Sequence, residues 1–563
     1  MDRKMIGIIS ALLIVTILIL LYLKFIPNSE EVNSLNNPNS KSNYVENYFD
    51  KNEVIDIYLT LSESDFENMM QNPTKEEYKE ATVIVDGTQI DYVGLRVKGN
   101  SSLNMVTSSD SERYSFKVDF DQYIMGQSLD GLTKLNLNNS VSDPSYMREY
   151  LSYSLLEEMG IPTPAYCYAN VYVNGELIGL YLAVEGIEES FIERYYQSSY
   201  GTLYKPEGQG SDLVYIDDQI ESYSGINLVT DLKNDDNKEL LNMIKALNAG
   251  EDLEKYLNID EILRYFAVNT VLVNMDSYQS NLKHNYYLYE EDGVFSILPW
   301  DYNMSFAGFN MGMDTQNATS LYIDNPLSGT SLEQSPLLSK LLEVEEYREL
   351  YHQYISEFID GPFSFETMSV EIERIANMIR PYLEKDPTKF YTMEQFEEAL
   401  DEGSTQQNII NNSNDSEMAM KIVQEQLEAS KEKIGDPRAG GNKNMLEGNA
   451  IGLKKFVNER ISNLSKQLSG ELPSTGDIEG DTESIPVQAN NFADNPQGRQ
   501  QNMPPVPAGA EGQPAFDRKM QPFEGNQQRT TDVTDQYYLV AGTILVLLIT
   551  LIFVFKKKTK YMI

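Results

Sequence analysis

Cysteine is almost missing from this chain. Cys167 is the single one in 563 residues, so neither an intramolecular disulfide framework nor a cysteine-based zinc site can be built from it. Histidine is nearly as scarce, with only His284 and His352, and a histidine-dependent hydrolase is poorly supplied. Positive charge is short as well: 44 lysines and arginines face 86 aspartates and glutamates, a net charge of −42. Such a surface repels nucleic acid and favours cationic partners. The imbalance belongs to the folded stretch, because Gly470–Gln536 carries only 4 basic and 11 acidic residues. Apolar bulk is plentiful, with 41% hydrophobic residues, 10% aromatics and 37 tyrosines, enough for a real core. Phosphoryl transfer needs carboxylates, a magnesium ion and a cationic clamp but no histidine, and the census leans towards it.

Two apolar runs bracket the chain. Ile6–Leu23 is free of charge and follows Arg3 and Lys4; its length suits a signal anchor within residues 1–27 better than a cleaved signal peptide. Tyr537–Phe555 is closed by Lys556, Lys557, Lys558 and Lys560. Both basic flanks belong on the cytoplasmic side, which predicts a double-pass membrane protein whose large domain faces outward. Residues 28–52 read as a polar spacer, 53–469 as the folded domain, 537–555 as the second span and 556–563 as a basic cytoplasmic tail. Residues 470–536, rich in Pro, Gly, Gln and Asn, cannot bury a core and predict a disordered linker, reaching roughly 45 Å on average. Its LPSTG at Leu472–Gly476 lies too far from the downstream apolar run to read as a sorting signal.

Within the domain, strand patterns come first and helical patterns later, an α+β order. Alternating runs at 53–60, 82–86 with 90–97, 114–120, 134–137 and 169–184 predict strands, with turns at Asp86-Gly87 and Asn174-Gly175. Asp143-Pro144-Ser145 opens a helix over 146–159, in whose first turns Arg148 and Glu149 are expected on a solvated face, with pairing of either to a nearby active-site charge as the alternative. Helical spacing of apolar residues recurs over 237–248, 259–275, 343–359, 364–383, 416–434 and 452–468.

One stretch interrupts the helical half. From Val273 to Ala307 a loop holding Asp276 and Asn281 feeds a hairpin turned at Asp292-Gly293, and the hairpin returns Asp301 towards that loop. Two carboxylates and a carboxamide can then converge. The Asp276/Asn281 spacing matches the D-x-x-x-x-N of protein-kinase catalytic loops, in which Asp orients the attacking hydroxyl and Asn holds magnesium, while a later Asp completes the metal site. In the first half, GLRVKGNSS (Gly94–Ser102) and the Lys117 strand are candidate phosphate-facing elements. A plain turn and a solvated lysine are the competing reading of them.

GLRVKGNSS, the Lys117 strand, SDPSYMREYLSYSLLEEMGIPTP, VYVNGELIGLYLAVEGIEESFI, GTLYKPEG, the Asp276 loop with NYYLY, ILPWDYN and GLKKFVNERISNLSKQL fall in an order that resembles the spore coat protein H (CotH-type) kinase family, over roughly Glu53–Ser469. The resemblance implies an atypical, two-lobed protein-kinase-like fold that uses ATP and Mg2+ (or Mn2+) to phosphorylate Ser or Thr of a surface or spore-coat protein, one with basic segments. It implies Asp276 as the catalytic residue, Asp301 as a metal ligand with Asn281, and Arg96, Lys117 and Lys205 as the nucleotide-facing cations. Asn285, before the YYLY strand, rivals Asn281. Asn303 stands where the family often has a second Asp. The alternative from another class is a non-catalytic, membrane-anchored scaffold on the same fold.

Overall fold

The computed structural model describes residues 43–196, 201–230, 237–309, 318–401 and 451–476, all within one compact unit, 1–482. Both expected membrane spans, the helix expected over 416–434 and nearly all of the linker lie outside the described residues. Among the described residues no helix is long and apolar enough to cross a membrane.

After a short helix α1 (Tyr44–Tyr48), strand β1 (Val54–Leu61) leads to helix α2 (Glu63–Gln71), where the Ser62 side chain accepts from the Asp65 N–H as N-cap. Strands β2 (Lys79–Val85) and β3 (Thr88–Lys98) form a hairpin. Helix α3 (Ser101–Thr107) follows, so the Gly-Asn-Ser-Ser segment expected as a turn between strands begins a helix. Strands β4 (Ser115–Asp119) and β5 (Lys134–Asn138), helix α4 (Arg148–Glu158) and the hairpin β6 (Tyr166–Val173) and β7 (Glu176–Glu185) complete this half.

The seven strands close into a barrel of order β1-β2-β3-β4-β5-β7-β6. All neighbours are antiparallel except β1 and β6, whose parallel register sets Ile57 beside Val171. Alternation fills the inside with Ile57, Leu59, Val83, Leu95, Val97, Phe116, Val118, Leu135, Leu137 and Val171. Closure leaves no open edge among these strands. The opposite face of β3, β4 and β5 carries Arg96, Lys98, Lys117, Asn136 and Asn138; Lys117 stands opposite both Arg96 and Asn136.

Helix α5 (Glu189–Tyr196) and strands β8 (Thr202–Pro206) and β9 (Ile226–Leu228) lead into the helical half. There lie α6 (Lys238–Ala249), α7 (Leu253–Tyr256), α8 (Ile259–Leu272), the hairpin β10 (Tyr286–Glu291) and β11 (Val294–Pro299), then α9 (Pro336–Leu342), α10 (Glu345–Asp360), α11 (Phe365–Lys385), α12 (Met393–Leu400) and α13 (Leu453–Leu468). A four-stranded sheet of order β11-β10-β8-β9 sits among them. The architecture is thus mixed α+β, β-rich first and helical after.

Helix α4 departs from its expected exposure. Arg148 and Glu149 are buried along with most of the helix, because α4 packs both on β6 and on α8 and has no broad solvent face. Arg148 is neutralised by Asp143 at 2.6 Å, and Asp143 also accepts the Arg148 backbone N–H at 2.8 Å, capping the helix. A second buried pair, Arg113 and Asp386 at 2.7 Å, ties the barrel to the end of α11. Asp386 also accepts the Leu180 N–H of β7 at 2.9 Å.

Candidate functional site

Lys98 ends β3, and the two-residue strand period puts it on the same face as Arg96. Its Nζ donates to Asn138 Oδ1 at 2.7 Å. Asn138 Nδ2 in turn donates to both Glu149 oxygens, at 3.0 and 2.9 Å, and the Tyr153 hydroxyl donates to Glu149 Oε1 at 3.1 Å. That hydroxyl accepts the Asp301 N–H at 3.2 Å. An unbroken chain of hydrogen bonds therefore runs from Lys98 across the barrel wall and α4 to Asp301. Burial pushes the Lys98 ammonium down to about 8, against the pull of Asp301 and Glu149. Burial, with the charge of Asp301, pushes the Glu149 carboxyl up to about 7. The Lys98 ammonium also lies 5.6 Å from the centre of the Trp300 ring.

Asp276 is presented by the loop that leaves α8. The helix stops at Val273, which adopts φ +48, a conformation a β-branched residue rarely takes. Buried hydrogen bonds then fix the loop: Ser277 Oγ donates to Asn274 O at 2.6 Å, Gln279 Nε2 to Pro326 O at 2.9 Å, and Lys283 Nζ to Tyr278 O at 2.9 Å and Ser335 Oγ at 2.5 Å. The Asp276 carboxylate meets His284 Nε2 at 2.6 Å and accepts from Asn285 Nδ2 at 3.1 Å. Burial opposes charge on His284, but the bond to and charge of Asp276 outweigh it and raise the imidazole above its ordinary value.

Asp301 follows β11 in the left-handed region, φ +56. Its carboxyl is raised above the usual carboxylate range by burial and by the charge of Asp276, while Lys98, His284 and Lys205 pull the other way. The same five groups thus face one another electrostatically. Left-handed backbone at Val273, Lys283, Asn285, Asp301, Phe306 and Ala307 concentrates strain around the two carboxylates, as is common where a site is held in one geometry.

The structure sets Asp276 and Asp301 within each other's field and brings Lys205 near them, although Lys205 also pairs with Glu207 at 2.5 Å. Asn281 is exposed, and the amide that reaches Asp276 belongs to Asn285. Arg96 is engaged by Glu76 and lies 5.3 Å from the Tyr78 ring centre, and Lys117 pairs with Glu188 at 3.3 Å. Asn303 is half-buried, two residues beyond Asp301. Sequence reasoning passed over Lys98, Asn138, Tyr153 and His284, and gave Glu149 to solvent. Lys98 stood inside the quoted GLRVKGNSS, but alternation alone cannot choose between two cations on one strand face.

A magnesium ion prefers oxygen donors and is usually held by one or two carboxylates plus substrate phosphates. Asp276 and Asp301, with the amide of Asn285 on Asp276, are oxygen donors of that kind, and the charge of Asp276 already raises the Asp301 carboxyl. Among the described residues no group of three or more His, Cys, Asp or Glu gathers as a metal cage.

A barrel wall ending in a lysine, a buried glutamate helix and two aspartates on a helical half define a mixed α+β protein with one acidic and cationic centre. The chain belongs to the CotH kinase protein family, whose model matches residues 95–462, a range running from β3 into α13 and enclosing every group of that centre. It is 25% identical over 303 residues to the inner spore coat protein H of Bacillus subtilis, covering 52% of this chain and 79% of that protein. It is 22% identical to the inner spore coat protein H-like protein of the same organism, over 47% of this chain and 73% of the relative. The invasin CotH7 of Rhizopus delemar matches at 20% identity over 60% of this chain and 57% of its own length.

Proposed function

We propose that this chain is a protein kinase of two-lobed, kinase-like design, transferring the γ-phosphoryl group of ATP to Ser or Thr of a protein. The observation that carries the reading is the charge of Asp276 acting on Asp301, whose backbone N–H ends the hydrogen-bonded chain from Lys98. Asp276, steered by His284 and Asn285, orients the attacking hydroxyl and takes its proton. Asp301 and an amide, Asn285 rather than the exposed Asn281, would hold Mg2+ or Mn2+, which when bound neutralises charge on the β- and γ-phosphates. Lys98 and Lys205 supply the cationic clamp, and the Asn138–Glu149 link fixes where Lys98 points. Arg96 and Lys117, each engaged by a glutamate, tune the field from further along the sheet. The names of the two Bacillus relatives support a spore-coat or surface protein as substrate, and the net charge of −42 supports one with basic segments. The apolar runs at the two ends support a double-pass membrane location with this domain outside the cytoplasm.

The test is transfer of labelled phosphate from ATP to a Lys/Arg/Ser-rich protein. Asp276→Ala and Asp301→Ala should each lower transfer at least about a hundredfold, and equal labelling by wild type and both variants would overturn the assignment. Absence of any Mg-ATP-induced rise in melting temperature would leave a scaffold on the same fold.

A further inference from the structure

The loop between β4 and β5 carries an apolar tip that the proposed phosphoryl transfer does not use. Tyr123, Ile124 and Met125 are 45%, 43% and 78% exposed, and Tyr92 on β3, at 54%, stands beside them. The adjacency is fixed by hydrogen bonds: Gln127 Nε2 donates to Asp91 O at 2.9 Å and to Phe120 O at 3.0 Å. Gln122 lies against Gly94, where an added Cβ would come within 2.7 Å of its side chain. Tyr92 sits where the β2–β3 register shifts, at φ +58, so a bulky residue is held in strained backbone with its ring in water. Next to it is a shallow hollow of about 400 Å³ whose walls include Leu61, Ala81, Glu80 and Asp91.

The rim is acidic. Glu77, Glu80 and Asp65 all act on the Tyr123 hydroxyl, opposed by Lys79, and Lys79 is itself paired with Glu77 at 2.9 Å. Contiguous exposed apolar groups rimmed by polar ones mark interaction sites. The rim's sign disfavours an anionic membrane, and equally the chain's own acidic stretch after Gly470. Six residues of strand separate Tyr92 from Lys98, and at about 3.4 Å each the patch lies roughly 20 Å along the sheet from the site.

We propose that this patch docks a basic, apolar-bearing segment of the protein substrate, distinct from its phosphoacceptor residue. The inference rests on the kinase reading, but its test is a binding measurement without nucleotide. Anisotropy of a labelled Lys/Leu peptide is measured against the full-length protein in detergent, with a Glu/Leu peptide and anionic lipid vesicles as further probes. Wild type and Asp276→Ala should bind the Lys/Leu peptide equally. Ile124→Ser/Met125→Ser should weaken it about tenfold, Glu80→Gln should weaken it several-fold and flatten its salt dependence, and both variants should keep the wild-type melting temperature. Transfer to a short peptide lacking the Lys/Leu segment should be the same in wild type and in Ile124→Ser/Met125→Ser. Equal binding by wild type and both patch variants, or a preference for the Glu/Leu peptide or the vesicles, would overturn the docking site and leave the catalytic assignment standing.

Discussion

On the outer face of β3, β4 and β5, Arg96, Lys117 and Lys134 are each engaged by a carboxylate of the protein, whereas Lys98, two residues along the same strand from Arg96, rests on a neutral amide. The first group has carboxylate partners, although burial still lowers the Lys117 ammonium. In the second, a half-buried ammonium pushed down to about 8 and a buried carboxyl pushed up to about 7 are two charges the fold holds at a cost. Ion pairs among partly exposed groups contribute little to stability, while strongly perturbed charges mark candidate functional sites. The contrast separates cations that hold the barrel face together by ion pairs from one that rests on an amide.

The sharpest way to break that contrast is to remove one cation from each end. Lys98→Met should lower phosphoryl transfer roughly a hundredfold with the melting temperature kept, whereas Arg96→Met should lower transfer by no more than about threefold; equal losses would erase the distinction. A smaller effect separates the two amides. Asn285→Ala should reduce transfer about tenfold and raise the Mg2+ concentration needed for half-maximal rate, while Asn281→Ala should stay within about twofold of wild type.

Glu149→Gln tests the cost directly. A carboxyl raised in the folded state contributes stability that is full below its unfolded value and lost as pH rises through about 7. At pH 8 the wild type therefore carries the whole penalty, and the variant should be more stable by on the order of 1–3 kcal/mol, with no gain at pH 4 and a several-fold loss of transfer. The mildest expected effect is on nucleotide binding. The Lys98 ammonium is lost as pH rises through about 8, so ATP affinity should fall gradually above that pH in wild type and stay flat in Lys98→Met, as a thermal-shift titration would read.

Local chemistry was legible in the sequence. Asp86-Gly87, Asn174-Gly175 and Asp292-Gly293 turn three hairpins with both residues at positive φ, as two-residue turns of that composition require. The β10–β11 hairpin that leads to Asp301 followed from the same turn signal. Long-range closure was not legible, because nothing in the alternation of β1 or β6 says that these two strands pair in parallel to seal the barrel. The burial of α4 was missed for a related reason. Arg148 and Glu149 look like surface residues until Asp143 and Asn138 are placed beside them, and those partners depend on tertiary packing. Choosing Lys98 over Arg96 needed the position of α4 as well, since strand periodicity treats both alike.

Arg460, deep in α13, donates to the carbonyls of Thr270 and Val271, the last turn of α8 ahead of the Asp276 loop, and to those of Thr319 and Leu321. Ribosomal synthesis runs from the N-terminus, so the barrel strands are available long before this arginine is made. A nascent or prematurely stopped polypeptide can possess both aspartates and still lack the brace that seats the first of them. Seating of the Asp276 loop therefore waits on α13, the last of the described helices to be synthesised.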